Sequence, residues 1–210
     1  MNKILNTLLI GLIFFGPANA QNSEFVLGTH YQRLSPTQPT SSSPDQVEVA
    51  EIFWYGCPHC YTFDPYLENW KETLAEDVNF IRIPAVWNNV LQTHAKVYFT
   101  AELLDVIDDV HTPIFREIHV NRNMLTETNA LVDFFAQYGV MPDEFNQTFE
   151  SFAVFTRMQR DDELSRRYRI SSVPTVVVNG KYVTNATMAG DYPDLLRLVD
   201  ELVAMERAEQ

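Results

Sequence analysis

A chain of 210 residues with 28 Asp and Glu against 15 Lys and Arg carries a formal net charge of −13. That excess repels nucleic acid and anionic membrane surfaces, so neither is expected as a partner. With 46% hydrophobic and 12% aromatic residues, the composition excludes disorder and supplies core for one domain, or for one domain carrying an insertion.

Residues 1–20 read as a secretory signal peptide, with Lys3 as the positive start, Ile4 to Phe15 as the apolar stretch and Ala18-Asn19-Ala20 as the cleavage site. That stretch is well short of the roughly 20 residues a bilayer requires. No later stretch is long and apolar enough to cross one, and Gln21 rather than Cys at the first mature position argues against a lipid anchor. A soluble exported protein beginning at Gln21 is expected.

Gln21 to Gly28 reads as a loose terminus and Thr29 to Leu34 as a short edge strand. Ser35 to Asp45, with its prolines and serines, is a turn or linker. Val47 to Tyr55 is apolar at odd and even positions apart from Glu48 and Glu51, the pattern of a central strand covered on both faces. A helix follows through Tyr61, Phe63 and Leu67 to about Ala75, kinked by Pro65, and Val78 to Pro84 alternates as the next strand. Strand, helix and strand make a βαβ unit with parallel pairing.

From Leu91 to Tyr168 the apolar spacing turns helical, with start signals at Thr112-Pro113, Thr126 and Pro142 and a C-cap at Gly139. Four or five helices are expected there. Thr175 to Val178 and Tyr182 to Thr184 read as a hairpin about a two-residue Asn179-Gly180 turn. Pro193 opens a last helix ending near Arg207.

The chain has two cysteines, Cys57 and Cys60, placed where the apolar strand gives way to a helix. Gly56 allows the sharp exit and Pro58 suits the first helical position, which puts Cys57 at the helix N-terminus. Unpaired N–H groups and the macrodipole there favour a thiolate, both nucleophile and leaving group. A structural disulfide between residues this close would close almost no loop and stabilise little. Structural zinc wants four ligands, and His30, His94, His111 and His119 are scattered without ligand spacing, so they read as ordinary surface or core histidines. Tyr61 stands where covalent haem attachment needs His. Thiol–disulfide exchange is the chemistry this context supports.

Two neighbours bear on it. His59, between the sulfurs, would stabilise the Cys57 thiolate when protonated, so the reduced form gains and the disulfide becomes a stronger oxidant. Glu51 sits in the central strand, buried whichever face it takes; it either accepts a proton from Cys60 or forms a structural ion pair with Arg82 on the next strand. Val173-Pro174 reads, on its own, as a strand-initiating proline.

Phe53-Trp54-Tyr55-Gly56-Cys57-Pro58-His59-Cys60-Tyr61, followed by Val173-Pro174-Thr175 and Val178-Asn179-Gly180-Lys181-Tyr182, closely resembles the DsbA family of periplasmic thiol:disulfide oxidoreductases. Gly28-Thr29-His30-Tyr31 and the long helical insertion fit as well, so the resemblance spans the mature chain. It implies an α/β thioredoxin fold with a helical-bundle insertion, residues 21–90 and 169–210 forming the thioredoxin-like domain and 91–168 the insertion. It further implies a cis Val173-Pro174 bond lying against the Cys57–Cys60 disulfide and offering backbone groups to a substrate peptide. The redox-active disulfide would be the cofactor, and exported proteins with free thiols the substrates. A quinone-linked membrane oxidase of the DsbB type would restore the disulfide to a monomeric enzyme of the periplasm. A member of that family carries Lys where this chain has Arg82; Arg does not release a proton, so Arg82 can orient Glu51 but not relay for it. The rival readings are a disulfide isomerase or reductase on the same fold and a thiol-based metal-binding protein.

Overall fold

The structure is a computed structural model that describes residues 24–209. The signal peptide expected over residues 1–20 lies outside them. In chain order the elements are β1 (Gln32–Arg33), β2 (Val47–Phe53), α1 (Pro58–Lys71), β3 (Val78–Pro84), α2 (Asn89–Leu103), α3 (Ile107–His119), α4 (Thr128–Ala136), α5 (Pro142–Phe149), α6 (Phe152–Arg167), β4 (Thr175–Val178), β5 (Tyr182–Thr184), α7 (Ala186–Ala189) and α8 (Tyr192–Glu209). The sheet order is β1-β5-β4-β2-β3, with β2 and β3 parallel and β4 antiparallel to β2. This is the thioredoxin-type arrangement expected, interrupted by helices.

β2 is buried along its whole length, as a strand apolar on both faces must be. Its period of two sorts the side chains. Val47 and Val49 face a cluster with Phe63, Leu67 and Trp70 of α1 and Leu195, Leu198 and Leu202 of α8. Ala50 and Ile52 face the opposite cluster, with Ile83, Leu91 and Tyr168. By the same alternation Glu51 points to the α1 face, beneath the helix that carries both cysteines. A third core belongs to the helical segment, built on Phe99, Ile114, Phe115, Phe135 and Phe145, and it reaches across to take in Phe53, Tyr55, Cys57 and Cys60. The thiols therefore sit at the seam between sheet and helices.

Several boundaries differ from the sequence reading. α3 begins at Ile107, with Asp108 and Asp109 in its first turn, and runs through Pro113 rather than starting there. Acidic residues against the positive end of the helix dipole outweigh the proline as the start signal. α1 stops at Lys71 and β2 at Phe53. The β4–β5 connection has Asn179 and Gly180 at positive φ, and pairing resumes between Val178 and Tyr182, so three residues span it instead of two. Gly180 is required twice over, since a Cβ there would also lie 2.2 Å from the Gln38 carbonyl oxygen.

Candidate active site

The exit from β2 is a tight turn closed by the Cys57 N–H donating to the Trp54 carbonyl at 3.0 Å. Gly56 is needed for space rather than for a left-handed backbone: a Cβ at 56 would fall 2.2 Å from the Trp54 indole. Cys57 is then the N-cap of α1, Pro58 opens the helix, and the Cys57 Sγ accepts the Cys60 N–H at 3.4 Å. Across the seam the Val173 carbonyl lies 3.5 Å from the same sulfur, and the Val173–Pro174 bond is cis, as the family resemblance implied and the strand-initiating reading did not. Both thiols are free and buried, Cys57 at 7% exposure and Cys60 at 0%, while His59 is exposed.

The two sulfurs are driven apart electrostatically. Cys57 is lowered from 9.0 to about 6, first by the Cys60 side chain donating to it, against the opposing effect of burial, then by the backbone N–H groups of Cys60 and His59. The charge of the His59 ring comes last among these causes, a smaller part than its position between the cysteines suggested. Cys60 is pushed well above its ordinary value, chiefly by burial, then by Cys57 and by the charge of Glu51.

Beneath them lies a buried charged cluster. Arg82 on β3 stands opposite Glu51 in the strand register, and its Nε bonds to the Glu51 carboxylate at 3.0 Å. The same guanidinium reaches Asp64 at 3.6 Å and Glu68 on α1. Burial raises Glu51 to about 7, outweighing Arg82, while Asp64 and Glu68 add to the rise. His111 Nε2 is 3.2 Å from Asp64, and burial pulls His111 down to about 4, so it is neutral at pH 7. Asp64 stays low despite its burial, held there by His111 and by the Thr112 hydroxyl. Sequence reasoning found Glu51 and Arg82 and missed Asp64, Glu68 and His111. The spacing of Asp64 and Glu68, i and i+4 on one face of α1, was the available signal.

Asp64, Glu68 and His111 are close enough to hold a metal ion, and the Arg82 guanidinium already pairs with both carboxylates. Neither cysteine belongs to that group of three. A groove of about 920 Å³ between α2 and α6, bordered by Trp87, Lys96, Phe152 and Phe155, contains neither cysteine.

Fold and site together place this chain among the thiol:disulfide oxidoreductases of the thioredoxin superfamily. A family model described as a DSBA-like thioredoxin domain matches residues 48–198. Thiol:disulfide interchange proteins DsbA from Pseudomonas aeruginosa and Pseudomonas syringae pv. tomato are 39% and 37% identical, each over 99% of this chain and over 97% and 96% of their own lengths. The crystal structure of Pseudomonas aeruginosa DsbA superimposes with a TM-score of 0.84 at 39% identity, over 88% of this chain and 96% of that one. The oxidoreductase DsbA of Xylella fastidiosa gives 0.82 at 36%, over 87% and 98%. The chain belongs to the DsbA family. No helix among the described residues is long and apolar enough to cross a membrane.

Proposed function

We propose that the protein is a disulfide donor to newly exported proteins in the periplasm, reached by the signal peptide at residues 1–20. Residues 21–90 and 169–210 act as its thioredoxin-like domain and 91–168 as the inserted one. In the oxidised enzyme Cys57 and Cys60 are joined. A substrate thiolate attacks the Cys57 sulfur, the Cys57–Cys60 bond breaks, and Cys60 leaves with the electron pair. Its raised pKa makes it take a proton at once, and Glu51, held near 7, is the adjacent group able to give one. Arg82 orients Glu51 and keeps its own proton. The substrate's second thiolate then attacks the bridged substrate sulfur and expels Cys57 as a thiolate. The substrate leaves oxidised and the enzyme reduced.

The observation that carries this direction is the opposite displacement of the two thiols, Cys57 down to about 6 and Cys60 up. A stabilised thiolate is a good leaving group and favours the reduced enzyme, so its disulfide is a strong oxidant. Val173 and Pro174 serve the substrate peptide through backbone groups, a reading supported by the 3.5 Å approach of the Val173 carbonyl to the Cys57 sulfur. The disulfide is the only cofactor the scheme uses, a DsbB-type quinone-linked membrane oxidase renews it, and the enzyme works as a monomer. Equilibration in glutathione redox buffers, with thiols trapped by alkylation, tests the proposal. A strongly oxidising midpoint is expected, and a strongly reducing one would make the protein a reductase.

A further inference from the structure

The turn that presents Cys57 is held from outside by the helical segment. The Trp54 indole N–H donates to His94 Nδ1 at 2.9 Å, and the Tyr55 hydroxyl meets His111 Nδ1 at 2.8 Å. The Tyr55 carbonyl accepts from His119 Nε2, also at 2.8 Å. His94 comes from α2, His111 and His119 from α3. Chemistry fixes the roles of the rings. His94 accepts through Nδ1, so it is neutral and donates from Nε2 to the Met124 carbonyl at 2.8 Å; burial, which lowers its pKa, agrees. His111, neutral, accepts the Tyr55 hydroxyl proton. His119 donates whether protonated or not.

His119 reaches both ends of the cysteine pair. It bonds the carbonyl two residues before Cys57, and its ring stacks on Tyr61, directly after Cys60, at 4.8 Å with 6° between planes. The Tyr55–Gly56 peptide is the hinge of the turn. Its orientation sets ψ of Tyr55 and φ of Gly56, and with them the angle at which the turn delivers the Cys57 sulfur to the N–H groups that open α1.

We propose that His119 is a positioning residue for the Cys57 thiol: its bond to the Tyr55 carbonyl fixes the turn, and through it the helical insertion sets how readily the sulfur ionises. This rests on Cys57 as the reactive thiol. The test compares the full chain with the His119→Phe and His119→Gln variants, reading thiolate absorbance against pH, the equilibrium with glutathione and the melting temperature. Phe keeps the ring stack and loses the donor, so its Cys57 midpoint should rise by about half a unit or more, with a matching loss of about threefold or more in oxidising equilibrium. Gln restores an N–H without charge and should stay within about twofold of the parent. A Phe variant that melts earlier but titrates like the parent would overturn the proposal. So would a Gln variant that matches Phe, since the imidazolium charge would then be the cause. If Phe prevents folding, His119→Leu removes the same donor with a smaller side chain and should raise the midpoint likewise; no change there also overturns it. A parent protein whose Cys57 ionises like a free cysteine would remove the underlying reading and this one with it.

Discussion

Cys57 and Cys60 stand at the two ends of the first turn of α1, close to the same helix terminus, and their surroundings move them in opposite directions. The dipole of the helix as a whole is too small to decide this. It contributes about 0.3–1 kcal/mol at an exposed terminus and up to about 2 at a partly buried one, whereas moving Cys57 from 9.0 to about 6 corresponds to about 4 kcal/mol. What separates the thiols is aim. Cys57, at the cap, is where the Cys60 side chain and the N–H groups of Cys60 and His59 converge, and donors to a charged acceptor are worth about 1.5–3 kcal/mol each. Cys60 is buried, gives its own N–H to Cys57, and has the Glu51 carboxylate as a neighbour.

The sharpest way to break that asymmetry is to remove one sulfur at a time. Cys57→Ser should abolish exchange with substrate thiols. Cys60→Ser should instead accumulate a mixed disulfide through Cys57, visible as an adduct on a non-reducing gel. If the adduct forms through Cys60, the assignment is reversed.

Next in size is the stability of reduced against oxidised protein. A thiol whose folded pKa is depressed stabilises the fold above its unfolded value and loses that contribution as pH falls through the folded one. The reduced form should therefore gain on the oxidised form by about 1 kcal/mol at pH 7 and by up to about 4 near pH 9, with little difference from this source below about 6 and a falling gain above 9, where the raised Cys60 works against it. Denaturant midpoints of both forms across pH 5–9 measure it, and parallel curves would refute it.

Glu51 should behave the other way. Its carboxyl is raised from 4.5 to about 7, so its contribution is full below 4.5 and is lost as pH rises through about 7. Glu51→Gln should then stabilise the protein by up to about 3 kcal/mol at pH 8 and by almost nothing at pH 4.5, because Arg82 keeps Asp64 and Glu68 as partners. Exchange at Cys60 should slow while the Cys57 titration barely moves. Unchanged turnover would leave Glu51 a structural role only.

The smallest effect is expected at His59, whose charge ranks last among the causes acting on Cys57. His59→Leu should raise the thiolate midpoint by less than about one unit. A larger rise would mean that the ring, rather than the directed donors, governs the sulfur.

The fold was largely legible because its signals are local. The two-faced burial of β2, the helical spacing after Leu91 and the Asn179-Gly180 turn each declare themselves within a few residues. The cysteine pair and Glu51 were legible too, one by motif and one as a charge in an apolar strand. Asp64, Glu68, His111 and His119 were not, since each acts only through a partner the fold brings from afar: Asp64 is 48 positions from Thr112, and His119 is 64 from Tyr55. His94, His111 and His119 look scattered along the chain and gather on one turn in space. The reason for Gly56 was hidden likewise, because only the folded indole shows why no Cβ fits.

The most direct test is the ultraviolet titration of the reduced protein, following thiolate absorbance from pH 3 to 10 in the parent and in Cys57→Ser. One transition with a midpoint near 6 that vanishes in the variant is the predicted result. A midpoint near 9, or a low transition that survives the loss of Cys57, would contradict the account.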